Sequence, residues 1–243
     1  MAVVLCMDGD WTGNILPVWV PQKQVGKMKP DGIDYLSHSW QLLAGKYTGD
    51  INLIKNFFRQ IQSAYSSPGR YYHDLNHIHS LLSLSDQYAT SVSDKDLIDF
   101  AIFYHDIVYS PSESDNELRS AEVAKNSLTE LSVPEEKRAA VVEYIIASKV
   151  HAVGANENDT DLAWFLDFDM SILGADRERY LEYAQKVRRE YDMYPDVVYN
   201  AGRKKFLRQT LSMPFIFHTH EFRGKLEGPA RENLKKELDL IDA

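Results

Sequence analysis

A single cysteine, Cys6, stands in 243 residues. It excludes an internal disulfide and any cysteine-based zinc ribbon, and such usage fits a reducing cytoplasm, the compartment expected here. No apolar run approaches the roughly 20 residues that a membrane-spanning helix needs. The apolar opening, residues 1–7, is short and is followed at once by Asp8 and Asp10. It lacks the basic start and small-residue cleavage site of a signal peptide. No membrane association is therefore expected. Long runs of one charge sign are also missing, since 27 basic and 36 acidic residues give a net charge of −9 spread along the chain. That balance suits a protein poorly for tracking a phosphate backbone, so no nucleic-acid polymer is expected as a partner. A small anionic ligand remains compatible, because one local cluster or a metal ion can hold it. Strand-like alternation is scarce, and no internal repeat or low-complexity segment appears.

What is present reads as helix. Residues 1–30 carry Gly9, Gly13, Pro17, Pro21, Gly26 and Pro30 among short apolar pieces, which predicts an irregular arm with one short strand around 18–20. From Ile33 onward, Tyr35, Leu36, Trp40 and Leu43 recur at helical spacing, and so do Ile54, Phe57, Phe58, Ile61 and Tyr65. Further helices are predicted over 75–88, from the Ser93-Asp94 cap to about 105, over 115–131, from Pro134 through Ile146, and over 162–173 up to Gly174. The last three are predicted over 180–191, over 206–217 and from Pro229 onward, with a polar loop at 153–160. The expected fold is all-α, a helical bundle over 31–243 preceded by the arm. A chain of this length can bury a real core.

Within that pattern one stretch is anomalous. Residues 100–109 are almost uniformly apolar, yet they deliver His105 and Asp106 side by side into what must be interior. An ionised carboxylate there costs several kcal/mol unless a cation or hydrogen bonds compensate it. A buried ion pair answers that need, and so does a metal ion. Upstream, Tyr72-His73-Asp74-Leu75-Asn76-His77-Ile78-His79 is dense in histidine. A helix would place His73 and His77 on one face, one turn apart, with His77 inward alongside Leu81 and Leu84. Downstream, Asp167 and Asp169 lie among Phe165, Leu166, Phe168 and Met170, and their spacing points them in different directions, so one of the two is expected at a shared site. Imidazoles from one helix, a His-Asp pair from a second and an aspartate from a third form a mixed nitrogen and oxygen ligand set. Such a set suits a divalent transition metal (Mn, Fe, Co, Ni or Zn, with Mg admissible) better than calcium.

The order His77, then His105-Asp106, then Asp169 resembles the H…HD…D signature of the HD superfamily of metal-dependent phosphohydrolases. The cyclic-nucleotide phosphodiesterase branch carries a Tyr-His-Asn-x-x-His segment, which 72–77 resembles with Asp74 in place of the asparagine. Its Thr-Asp-Met-Ser-Lys-His segment is similar to Ile146-Ala147-Ser148-Lys149-Val150-His151, and its Ala-Asp-Leu-Ser segment to Phe168-Asp169-Met170-Ser171. The arrangement over roughly 33–238 is most similar to a group of small HD phosphohydrolases of undefined substrate.

The resemblance implies that His77, His105, Asp106 and Asp169 hold one metal, with a second left open. Asp167 stands as the alternate ligand. It implies that His73 protonates the leaving oxygen, a role its titration range suits. Glu117 is expected either to position water or, with Asp115 as cap, to favour the next helix start. Arg70 and Lys149 are expected as phosphate contacts or as solvated charges, and His151 as a partner of substrate, water or a second metal. The basic cluster Gly202-Arg203-Lys204-Lys205 reads as a solvated helix face. The expected activity is hydrolysis of a small phosphorylated substrate. A di-iron oxygenase and a non-catalytic nucleotide sensor are the competing readings, and the oligomeric state is open.

Overall fold

The computed structural model describes residues 30–151 and 160–242. The expected arm and its strand around 18–20, and most of the loop at 153–160, lie outside the described residues. Among those described, ten α-helices and one 3₁₀ turn are joined by short connections, without a strand. In chain order they are α1 (Pro30–Ala44), α2 (Ile51–Tyr65), α3 (Leu75–Gln87), α4 (Lys95–Tyr104) and α5 (Asn116–Glu130). Then come α6 (Glu135–Ala147), α7 (Thr160–Met170) running into the 3₁₀ turn Ser171–Gly174, α8 (Arg177–Glu190), α9 (Asp196–Ser212) and α10 (His220–Asp242). None is long and apolar enough to cross a membrane.

The anomalous stretch is the axis of the bundle. From Leu97 to Tyr104 every residue of α4 is buried, as expected of a helix that is apolar all round. Helices α3, α5, α6 and α7 pack around it. Trp40 of α1 closes one end, with its indole edge-on to Phe103 at 5.2 Å and its Nε1–H donated to the Ile54 carbonyl at 2.9 Å. Aspartates start several helices by accepting first-turn N–H groups: Asp50 for α2, Asp74 for α3, Asp94 for α4 and Asp176 for α8.

Two boundaries differ from expectation. The helix expected over 206–217 begins ten residues earlier, at Asp196, and stops at Ser212. Pro195 sets its start, and Pro214 cannot continue it. The last helix starts at His220 rather than Pro229, which lies inside it. Pro229 removes one intrahelical hydrogen bond, but both it and Lys225, whose carbonyl loses that bond, are exposed, so water can satisfy the freed group. Gly174, expected only as a helix stop, also permits a close crossing. A Cβ there would meet Leu226 Cβ at 2.6 Å and its carbonyl oxygen at 2.9 Å.

Candidate metal centre

Helix α4 ends so that its next two residues stay in the interior. His105 is its C-cap and donates its N–H to the Ala101 carbonyl at 2.8 Å. Its Nδ1 lies 2.9 Å from the Ile102 carbonyl, which can only accept, so Nδ1 carries the proton and Nε2 is the lone-pair end of the neutral ring. Asp74 fixes the entry to α3, accepting from Asn76 N and His77 N. That places His77 in the first turn, with its Nε2 at 3.2 Å from His105 Nε2. The last turn of α7 supplies Asp169, whose Oδ1 lies 3.2 Å from His77 Nε2 and 3.8 Å from His105 Nε2. Asp106 Oδ2 lies 3.1 Å from His105 Nε2.

His77, His105 and Asp106 thus each offer a ligand atom within 4.8 Å of the other two, all of them buried, a group that could hold a metal ion. Its chemistry fits that use. Burial opposes ionisation of Asp106 and Asp169, yet both are held well below the usual carboxylate range by the surrounding imidazoles, His105 and His73 around Asp106 and His151, His77 and His105 around Asp169. Burial pushes His77 down despite Asp169 beside it. Burial also acts downward on His105, but Asp106, Asp169 and the Ile102 carbonyl outweigh it and the ring is raised. The sharpest sign is two buried polar atoms that lack a hydrogen-bond partner, Asp106 Oδ2 and His73 Nε2. They face each other at 4.0 Å, and the close approach of His105 to Asp106 is not aligned as a hydrogen bond. Buried polar atoms are rarely left so, and Asp106 Oδ2 beside the Nε2 atoms of His77 and His105 suits a cation.

His73 reaches the site differently from the helical expectation. It precedes the cap Asp74 and is not on α3, but the bend carries its ring to 5.9 Å from that of His77. Its Nδ1 lies 2.6 Å from Glu190 Oε2, and the ring of Tyr109 lies against it at 4.3 Å. His151, buried and at a left-handed φ of 49°, brings Nε2 to 2.9 Å from Asp169 Oδ2. Of the two α7 aspartates, Asp169 is the one beside His77, His105 and His151. Asp167, the alternate, spends both oxygens at the start of α10, accepting from His218 N and Thr219 N, each at 2.7 Å, and from the Thr219 hydroxyl at 2.6 Å.

Arg70 and Lys149, expected as phosphate contacts or solvated charges, each have protein partners. Arg70 donates to the carbonyls of His73, Asp106 and Ile107. Lys149 donates to the Ser114 carbonyl and lies 4.0 Å from Glu117. Glu117 is buried and lies outside the His-His-Asp group, and Asp115 sits at the N-cap position of α5 without a side-chain cap bond. Arg203, expected on a solvated face, is fully buried and paired with Glu237 at 2.7 Å.

Glu190 is the residue that sequence reasoning missed. Among charged neighbours it looks like a solvated position, but Tyr180, Tyr183, Val187 and Glu190 continue one inward stripe at helical spacing, and all four are buried. That stripe is the signal that could have found it. Burial would raise its carboxyl, yet His73 and the N–H groups of Tyr71 and His73 lower it to about 2.

Two clefts flank the site. One of about 450 Å³ is bordered by Tyr72, His77, Tyr183, Arg179 and Lys186, and the other, of about 470 Å³, by Arg70, Tyr109 and Glu190. No protein-family model, curated protein or solved structure matches the chain.

Proposed function

We propose that the chain is a metal-dependent phosphohydrolase of the HD type, acting on a small phosphate ester such as a nucleotide or a related phosphodiester or monoester. The observation that carries this reading is His73. One ring nitrogen is locked on a buried carboxylate at 2.6 Å, and the other is bare and faces Asp106 at 4.0 Å beside the His-His-Asp group. A histidine held that way is built to move a proton at Nε2 and nowhere else.

His77, His105, Asp106 and Asp169 would hold a divalent ion, with Mn, Fe, Co, Ni or Zn favoured by their mixed donors. Such an ion supplies a Lewis acid that makes water nucleophilic near neutral pH and offsets phosphoryl charge. His73, as imidazolium, gives its Nε2 proton to the departing ester oxygen, while Glu190 keeps the Nδ1 proton and the ring's orientation. Tyr109 donates its hydroxyl to the same Glu190 oxygen at 2.9 Å and packs against the ring at a tilt of 30°, which restrains His73. Substrate approaches through the cleft at His77, where Arg179 and Lys186 are the cations within reach of an anionic group. His151 fixes Asp169 from its far oxygen.

The test is turnover of a broad phosphate-ester panel by the full chain reloaded with Mn(II) or Fe(II). Hydrolysis is expected, and its loss in Asp106→Asn and His77→Ala. No cleavage of any ester would sink the reading. Two irons per chain with oxygen uptake would replace it with oxygenase chemistry, and tight nucleotide binding without turnover would replace it with a sensor.

A further inference from the structure

Two of the buried atoms without a hydrogen-bond partner, His73 Nε2 and Asp106 Oδ2, belong to segments that share no helix. His73 lies in the bend before α3, and Asp106 in the turn after α4. One side chain joins them. Arg70 Nη1 donates to the His73 carbonyl at 3.0 Å and to the Asp106 carbonyl at 2.7 Å, and Nη2 donates to the Ile107 carbonyl at 2.9 Å. The turn after α4 leaves the Asp106 and Ile107 carbonyls beyond the helix, and the guanidinium supplies donors to both. The same group lies over the rings of Tyr65 and Tyr109, at 4.9 and 5.4 Å. Those rings are themselves tied to the site: the Tyr65 hydroxyl accepts the Asp106 N–H at 3.2 Å, and the Tyr109 ring lies 4.3 Å from that of His73.

We infer that Arg70 is a positioning residue that sets the spacing between the proton-donating histidine and the metal-holding aspartate. This rests on the metal-site reading above. Three carbonyls engage three of its five N–H donors. Lysine cannot substitute, because a point ammonium lacks the planar fork that spans carbonyls from two segments while stacking on two rings.

The experiment uses the full chain as Arg70→Ala and Arg70→Lys, with Mn(II) as the probe metal and methylguanidinium as the rescuing agent. The cleft of about 470 Å³ bordered by Arg70 gives a small guanidinium access to the vacated position. Calorimetric Mn(II) affinity should fall about 10- to 100-fold in Arg70→Ala, as when a partner orienting a ligand is lost, and millimolar methylguanidinium should restore it. Turnover of alkyl phosphate esters should fall about 100-fold in either variant. Esters with a nitrophenol leaving group, which needs no proton, should lose less than about a tenth of that factor.

A merely structural role predicts equal losses on both ester types and no rescue, and that result would overturn the inference. Should Arg70→Ala fail to fold, Arg70→Lys decides alone, and wild-type affinity and rates in it would overturn the inference equally. If the wild-type chain binds Mn(II) but cleaves nothing, the hydrolase reading fails, and the affinity loss with its rescue still decides the role of Arg70.

Discussion

Glu190 and His73, far apart in the chain, are joined twice. Glu190 Oε2 lies 2.6 Å from the ring Nδ1, and Oε1 accepts the main-chain N–H of His73 at 2.9 Å. The same Oε1 accepts from Tyr71 N and Tyr72 N, both at 2.8 Å. One carboxylate at the end of α8 thus shapes the bend that enters α3 and sets which nitrogen of His73 faces the metal group.

Glu190→Gln separates those two duties. The amide oxygen still accepts main-chain N–H groups, so the bend persists, but an NH₂ group replaces the oxygen that accepts from the ring Nδ1. Alkyl phosphate turnover should fall about 100-fold, the scale of general-acid catalysis, while nitrophenyl esters change little. Leaving-group dependence of kcat checks this, and equal losses on both ester types would remove His73 from the acid's role.

The same carboxylate predicts an acid-side stability change. Its folded pKa, about 2, lies below its ordinary value of 4.5. The sign follows: the folded state binds fewer protons here, so Glu190 stabilises fully above about pH 4.5 and loses that contribution as pH falls towards 2. The magnitude is roughly 3 kcal/mol, because each tenfold difference in proton affinity between the unfolded and folded states is worth about 1.4 kcal/mol. Denaturant unfolding between pH 3 and 6 should show a steeper pH dependence in wild type than in Glu190→Gln. Parallel pH dependences in the two proteins would contradict the assignment.

The residues legible in the sequence are those whose polarity clashes with their neighbours. His105 and Asp106 stand out inside 100–109, and Asp169 inside 165–173, because an apolar run cannot hide them. Their convergence with His77 then follows from helical spacing and order. The role of Arg70 is illegible because its three acceptors are backbone carbonyls, which every residue carries, so no pattern marks them. Glu190 is hidden because charged neighbours on α8 mask its place on the buried stripe. Asp167 and Asp169 are ambiguous in sequence, since each sits in the same apolar surroundings and only the position of α10 decides which one it engages. The start of α10 is obscured for a related reason: Pro229 looks like a first-turn residue, and its tolerance inside the helix depends on exposure of the freed carbonyl.

Asp167 and Asp169 should therefore fail in opposite ways. Asp167→Asn keeps the proposed metal ligands but places an amide where two N–H groups and a hydroxyl donate, so it should destabilise by about 2 kcal/mol. Its melting temperature should still rise on adding Mn(II), because an ion that binds only the folded state stabilises it by mass action. Asp169→Asn should abolish most of that rise. A thermal-shift series with and without chelator checks both, and a full metal response in Asp169→Asn would remove it from the ligand set.

A second buried charge, away from the His-His-Asp group, is compensated by a carboxylate. Arg203, fully buried, meets Glu237 at 2.7 and 3.0 Å and donates to the Tyr183 hydroxyl at 3.2 Å, and the Tyr183 ring packs edge-on to Tyr72 at 4.7 Å. Arg203→Met leaves Glu237 buried without its cation, which should cost about 3–5 kcal/mol. Removing the second charge as well, in Arg203→Met with Glu237→Met, should recover most of that loss, because the penalty belongs to the stranded carboxylate more than to the pair. The hydroxyls of Tyr183 and Tyr180 each lose a hydrogen bond in the double variant, so a deficit of about 2 kcal/mol should remain. Urea unfolding of the two single variants and the double variant measures the coupling. If the double variant is as unstable as the two single losses added together, Arg203 is not acting mainly by neutralising Glu237, and its value must come from packing the α8–α9–α10 junction.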